Sequence, residues 1–262
     1  MRRSILLRWI HTGIVALVAF YLVLPILIII PMSFSPTEFL ELPWQGLSLR
    51  WYQAALANTR WHSAFADSAL IAIATMVLAG VLGVAAALAL SKSQSATAKL
   101  LAGLYMAPVT TPIVVLAIGL YMVLIRTSLS GSMYSLVIGH TVIALPYVFI
   151  TTLTSLRLMS RNLVDASLSL GVGPIRTFFW VTFPLLRPAL LAGLVLAFVV
   201  SWDEVELAIF LSTPGTVTAP VLLWQSIRFN VTPEIAAVGS MLIIVSLLGL
   251  VVFQALRRSP HV

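Results

Sequence analysis

Six long apolar stretches, residues 10–33, 68–90, 101–125, 133–156, 189–211 and 235–256, take up most of the chain, and each exceeds twenty residues. A helix rises about 1.5 Å per residue, so about twenty residues cross a hydrocarbon layer of about 30 Å while pairing their own backbone N–H and C=O groups. Composition agrees: of 262 residues, 60% are hydrophobic and 9% charged, with a mean hydropathy of +1.07. A soluble globular domain of this size is not that apolar. The fold expected is therefore all-α, a polytopic membrane protein with six transmembrane helices. There is no cysteine, which removes disulfides and thiolate chemistry from consideration.

The stretches differ in ways that matter. The first follows Arg2, Arg3 and Arg8 like a signal peptide, but its length and lack of a small-residue cleavage site make it a retained span, kinked at Pro25. Residues 34–67 form a polar connection with Trp44, Trp51, Tyr52 and Trp61, aromatics suited to a membrane interface. In the second stretch, Gly80 and Gly83 let another helix approach closely. In the third, Pro108 and Pro112 beside Thr110 and Thr111 predict a loosened first third, a broken helix of the kind that marks a pathway. The fourth holds His140 and Pro146. That histidine fits either a hydrogen bond to a neighbouring helix or a functional role.

Net charge is +7, and its distribution is topological. With six spans and the N-terminus inside, Arg2, Arg3, Arg8, Lys92, Lys99, Arg157, Arg161, Arg176, Arg187, Arg257 and Arg258 fall on the cytoplasmic side, against Arg50, Arg60, Arg126 and Arg228 opposite. This satisfies the positive-inside rule and places both termini in the cytoplasm. Basic clusters of the kind that bind nucleic acid are missing.

Between the fourth and fifth stretches lies a polar, proline-punctuated loop, residues 157–188. Ser160 or Asn162 can cap a short helix with Asp165 in its first turn, and Gly171 and Gly173-Pro174 then stop it. A second short helical segment begins at Ile175, and Pro184 and Pro188 are expected to break the chain again. The product would be a helix, a glycine turn and another helix lying flat at the membrane surface. An ordinary amphipathic surface loop has the same outline.

The fifth stretch carries the chemistry. Asp203, Glu204 and Glu206 stand within four residues of an apolar segment. Each carboxylate costs roughly 2.5–3.5 kcal/mol at the membrane centre, so they are expected to face protein or water. On a continuous helix, Trp202, Asp203, Glu206 and Phe210 share one face, and Glu204 points about 100° further round. Such a face attracts a mobile cation, with Trp202 adding a cation–π contact. The alternatives are protonation, pairing with a partner subunit, or a helix that ends near Ser201 and leaves the acids at the outer interface.

Catalytic and metal motifs are absent from the sequence. There is no GxxxxGK[ST] phosphate loop, no HExxH and no GxSxG, and His11, His62, His140 and His261 are scattered. No catalytic residue and no metal ligand is assigned.

Asp165-Ala166-Ser167, then Gly171, then Val181-Thr182-Phe183-Pro184 resembles the EAA signature of permease subunits of bacterial ABC importers, with Asp for Glu, Ser for the second Ala and Phe for Leu. The resemblance implies a type I ABC importer permease fold spanning residues 1–262 as one transmembrane domain. It makes 157–188 the coupling helix region, which meets a cytoplasmic ATPase through Asp165, Ala166, Ser167, Gly171, Phe183 and Pro184. ATP and Mg would be bound by that ATPase, with no cofactor in this chain. Asp203-Glu204, Pro214-Gly215, Ala219-Pro220 and Val231-Thr232-Pro233-Glu234 are further similar to the second permease of spermidine/putrescine-type importers, though Trp202 and Glu206 are not part of the shared pattern. The implied partners are a second permease subunit in a heterodimer, two ATPase subunits, a periplasmic binding protein and membrane lipid, in the bacterial inner membrane. Relatives in that branch carry aminoethylphosphonate, opines or ferric iron, which leaves the substrate open. An ion-coupled secondary transporter or channel, or a non-transporting assembly protein, remains the alternative class.

Overall fold

The computed structural model describes residues 2–213, 215–229 and 231–258. Pro214 and His261 lie outside the described residues, as do the side chains of Arg2, Arg3, Arg161, Arg257 and Arg258. Apart from an isolated antiparallel bridge between Thr213 and Thr216, every regular element among the described residues is helical. In order these are α1 (Arg2–Met32), α2 (Arg50–Ala57), α3 (Thr59–Ser91), α4 (Ala96–Thr110), α5 (Ile113–Leu124), α6 (Met133–Leu158), α7 (Arg161–Ser169), α8 (Pro174–Thr177), a π turn (Phe178–Thr182), α9 (Phe183–Trp202), α10 (Glu206–Leu211), α11 (Ala219–Ile227) and α12 (Pro233–Arg258).

Five helical runs are each long and apolar enough to cross a membrane, and α4 with α5, bent by 108° to one another, are together long and apolar enough for a broken sixth span or a re-entrant loop. The bend follows from Pro112. A proline drives the residue before it out of the helical region, and Thr111 is extended at φ −88°, ψ 132°. Both Thr110 Oγ1 (3.0 Å) and Thr111 Oγ1 (2.8 Å) donate to the Ala107 carbonyl, which also accepts the Thr111 N–H (3.1 Å), so the hydroxyls at the break are satisfied locally. Pro25, Pro31, Pro108 and Pro146, by contrast, lie inside helices that continue through them.

Two expectations need correction. The fifth span does not run over 189–211: it covers Pro174–Trp202 and stops before the carboxylates. Pro184 and Pro188 do not break the chain either. The π turn immediately ahead of Pro184 uses wider i→i+5 bonding, with the Phe183 N–H reaching Phe178 O, and this loosened turn accommodates a ring that would clash in a regular one.

The chain divides into two compact units, Met1–His62 with Leu223–Ile243, and Ser63–Leu222 with Ile244–Val262. In the first, α1 is apolar around its circumference, and the turn after it is tied to α2. The Ser33 and Tyr52 hydroxyls are 2.6 Å apart, Trp51 Nε1 donates to Thr37 O (3.1 Å), and Arg50 Nη1 donates to Pro36 O (2.8 Å). In the second, α3, α6 and α9 meet through small residues. A side chain on Gly83 would strike Val148 and the Phe149 backbone at 3.0–3.1 Å, one on Gly80 would strike Leu194 at 2.7 Å, and one on Gly193 would strike Thr151. Lipid tails are as apolar as leucine, so such close backbone approach, rather than exclusion of water, holds membrane helices together. Ala79, Ala144, Val148 and Ala197 pack at this junction.

Candidate substrate pathway and coupling segment

The sequence placed three carboxylates on one helix, but the helix ends among them. Asp203 sits at the C-cap of α9 (φ −91°, ψ 0°), where its N–H still reaches Val199 O (3.1 Å). Glu206 opens α10, so it and Asp203 lie on either side of a break spanning Asp203 to Val205. The single arc through Trp202, Asp203, Glu206 and Phe210 therefore does not exist. No proline stands in the break. Side chains terminate the helix instead.

Each predicted residue has a distinct setting there. Asp203 is exposed, and its Oδ1 accepts from Ser246 Oγ (2.7 Å) on α12. Glu204 is 8% exposed, and its Oε1 accepts from the Leu207 N–H (2.8 Å), satisfying a first-turn donor of α10. Glu206 is exposed. Trp202 is buried and stacks on Phe198 at 5.8 Å, with Phe65 at 6.4 Å, so aromatic neighbours occupy the ring expected to greet a cation. Phe210 is half-buried against the apolar cluster of Ile71, Leu136, Leu207 and Leu211.

His140 and Ser201 complete the surroundings of the break. Both are buried, and His140 Nδ1 is 2.8 Å from Ser201 Oγ, joining α6 to the last turn of α9. A polar contact between membrane helices contributes about 0.6 kcal/mol on average, so this one matters more for geometry than for stability. The sequence offered Ser201 only as an alternative end of the helix, and α9 does end one residue beyond it, at Trp202. Ser246 gave no signal beyond being a lone hydroxyl in an apolar run.

The candidate coupling segment, residues 157–188, is better defined than its sequence suggested. Ser160 occupies the N-cap of α7, but its hydroxyl makes no capping bond, and Asp165 falls in the second turn rather than the first. The C-terminus of α7 closes in a Schellman arrangement: the Val172 N–H reaches Ser167 O (3.2 Å) and the Gly171 N–H reaches Leu168 O (3.0 Å). Gly171 has φ +78° with open space around it, so its lack of a side chain is accounted for by backbone conformation. Ser167 Oγ is 3.0 Å from Thr177 Oγ1 and ties α7 to α8. Asp165 and Ala166 are exposed. Phe183 lies 6.1 Å from the Phe178 ring under the Arg187 guanidinium, and Pro184 is exposed. Behind α7, a cavity of about 750 Å³ is lined by Thr154, Leu158, Leu163, Leu185, Pro188 and Phe253.

Comparison with known proteins fits this arrangement. Residues 79–259 match the family described as binding-protein-dependent transport system inner membrane component. The chain is 28% identical over 247 residues to the putrescine transport system permease protein PotI of Escherichia coli, covering 91% of this chain and 88% of that one. It is 26% identical over 251 residues to the spermidine/putrescine transport system permease protein PotC of the same species, covering 96% and 95%. For PotC of Haemophilus influenzae the identity is 27% over 241 residues, covering 92% and 93%. Its fold is shared with a chain in the crystal structure of a bacterial ABC transporter involved in the import of the acidic polysaccharide alginate, at a TM-score of 0.77 and 17% identity, covering 100% of this chain and 99% of that one. Transport components of this family act with further subunits and are not enzymes. With residues 79–259 matched and the helical fold shared, the chain belongs to the family of binding-protein-dependent transport system inner membrane components.

Proposed function

We propose that this chain is the permease subunit of an ATP-driven ABC importer that translocates a small cationic amine, a polyamine such as putrescine or spermidine. The observation that carries the cationic reading is Asp203. It is exposed at the break after α9 and is held by the Ser246 hydroxyl, with no ion pair to a basic side chain among the described residues. An exposed, oriented carboxylate beside apolar helices attracts an ammonium group and repels anions. The names of the polyamine permeases to which the chain is similar support the same substrate class.

In this reading the chain forms one transmembrane domain that pairs with a second permease in the inner membrane, with both termini cytoplasmic. Two cytoplasmic ATPase subunits bind ATP and Mg and grip the region 157–188, while a periplasmic binding protein delivers the amine. Closure of the ATPases moves α7 and α8, and because α8 continues through the π turn into α9, the displacement reaches the break at the far end of α9.

The test is ATP-dependent uptake of radiolabelled putrescine and spermidine by the complete transporter in proteoliposomes. Asp203→Asn combined with Glu206→Gln should lower uptake on the order of tenfold while leaving assembly intact, the loss expected when a charge-assisted contact of about 1.5–3 kcal/mol is weakened. Uptake equal to that of the parent would refute the cation reading.

A further inference from the structure

No proline or glycine marks where α9 stops, yet the carboxylates depend on that stop for their direction. Two consecutive residues of α6 touch both sides of it. A side chain on Gly139 would meet Leu211 Cδ1 at 2.5 Å and Leu207 Cδ2 at 2.7 Å, so α10 rests against bare α6 backbone at this point. The next residue, His140, is completely buried and reaches Ser201 in the final turn of α9 at 2.8 Å. Ser201 precedes Asp203 by two residues. His140 Nε2 has no hydrogen-bond partner among the described residues, which leaves Nδ1 as the ring's hydrogen-bonding tie. The flanking α6 residues Leu136, Val137 and Ile143 belong to an apolar cluster that offers the Ser201 hydroxyl no substitute side-chain partner.

We propose that His140 is a positioning residue: with Gly139 it clamps the end of α9 and the start of α10 to α6, and so fixes the direction in which Asp203 faces. The inference rests on reading Asp203 as the cation-facing group. Loss of the clamp would not remove the carboxylate. It would let the carboxylate wander.

The absence of cysteine permits a direct measurement. Leu191 on α9 and Ile209 on α10 are 44% and 42% exposed, and Leu191→Cys with Ile209→Cys carries a spin-label pair that straddles the break. In the complete transporter in lipid nanodiscs, pulsed EPR should give a narrow distance distribution for the parent. His140→Leu and Ser201→Ala should each widen it roughly twofold, because each removes the polar tie between the helices. His140→Asn, which returns a polar atom near the position of Nδ1, should restore the narrow distribution. Amine uptake should fall on the order of tenfold in the two widened variants and recover with His140→Asn. Equal widths for His140→Leu and His140→Asn, unchanged width in Ser201→Ala, or widening without loss of uptake would each overturn the proposal. Failure of the cation reading looks different: Asp203→Asn would then transport normally while the distance distribution in every variant behaved as predicted.

Discussion

The two ends of α9 invert the usual expectation about prolines. At its start, Pro184 and Pro188 fall within four residues of each other, and the helix runs through both. At its other end there is no proline, and the helix stops after Trp202. A proline breaks a helix when its ring meets the carbonyl four residues back; for Pro184 that carbonyl belongs to Trp180, inside the π turn over Phe178–Thr182, whereas Pro188 lies within α9 itself. Where no proline acts, tertiary contacts decide: Glu204 caps a new helix, while Ser201 and Asp203 are each held from another helix. The start of α9 is thus built to stay continuous, and its end is built to stay interrupted.

The contrast is sharpest when function and stability are read separately. Ala166 is exposed on α7, so Ala166→Trp should leave the thermal midpoint of the purified transporter unchanged yet reduce ATP-driven uptake to background and weaken ATPase binding. Full uptake in that variant would detach α7 from any coupling role. At the interrupted end, Glu204→Ala leaves the buried Leu207 N–H without its acceptor. It should lower stability by about 1–2 kcal/mol, seen as a reduced thermal midpoint, and Glu204→Gln should recover most of the loss. A midpoint unmoved by Glu204→Ala would mean the break needs no cap. The smallest effect is expected at Pro184→Ala, within about 0.5 kcal/mol of the parent, because the ring is already accommodated. A large change there would show that proline, not the π turn, sets the geometry.

Much of this fold is legible in the sequence. Apolar runs at 133–156 and 235–256 become Met133–Leu158 and Pro233–Arg258. Hydropathy reports these because a membrane forces long apolar runs into helices. The short helix Arg50–Ala57 matches one implied near 49–57 by the family resemblance, not by hydropathy. The break at Pro112 was legible for a local reason, since Pro112 constrains Thr111 directly. An end of the fifth span near Ser201 stood only as an alternative to a continuous helix, and nothing local decided between them: Ser201, Asp203 and Glu204 make their bonds to His140, Ser246 and Leu207, and two of those partners lie more than forty positions away. The same limit applies to the small residues of the coupling region. Gly171 is explained by a left-handed φ and Ser167 by its contact with Thr177, which leaves Ala166 as the position whose smallness has no internal reason.

The π turn has one more consequence. A helix turns about 100° for each residue, so a five-residue turn where about four would serve leaves everything ahead of it out of phase with α9 by roughly that angle. The rotational phase of α8 relative to α9 is therefore written in a single surplus residue between Phe178 and Thr182, much as one extra tooth sets the timing of a gear.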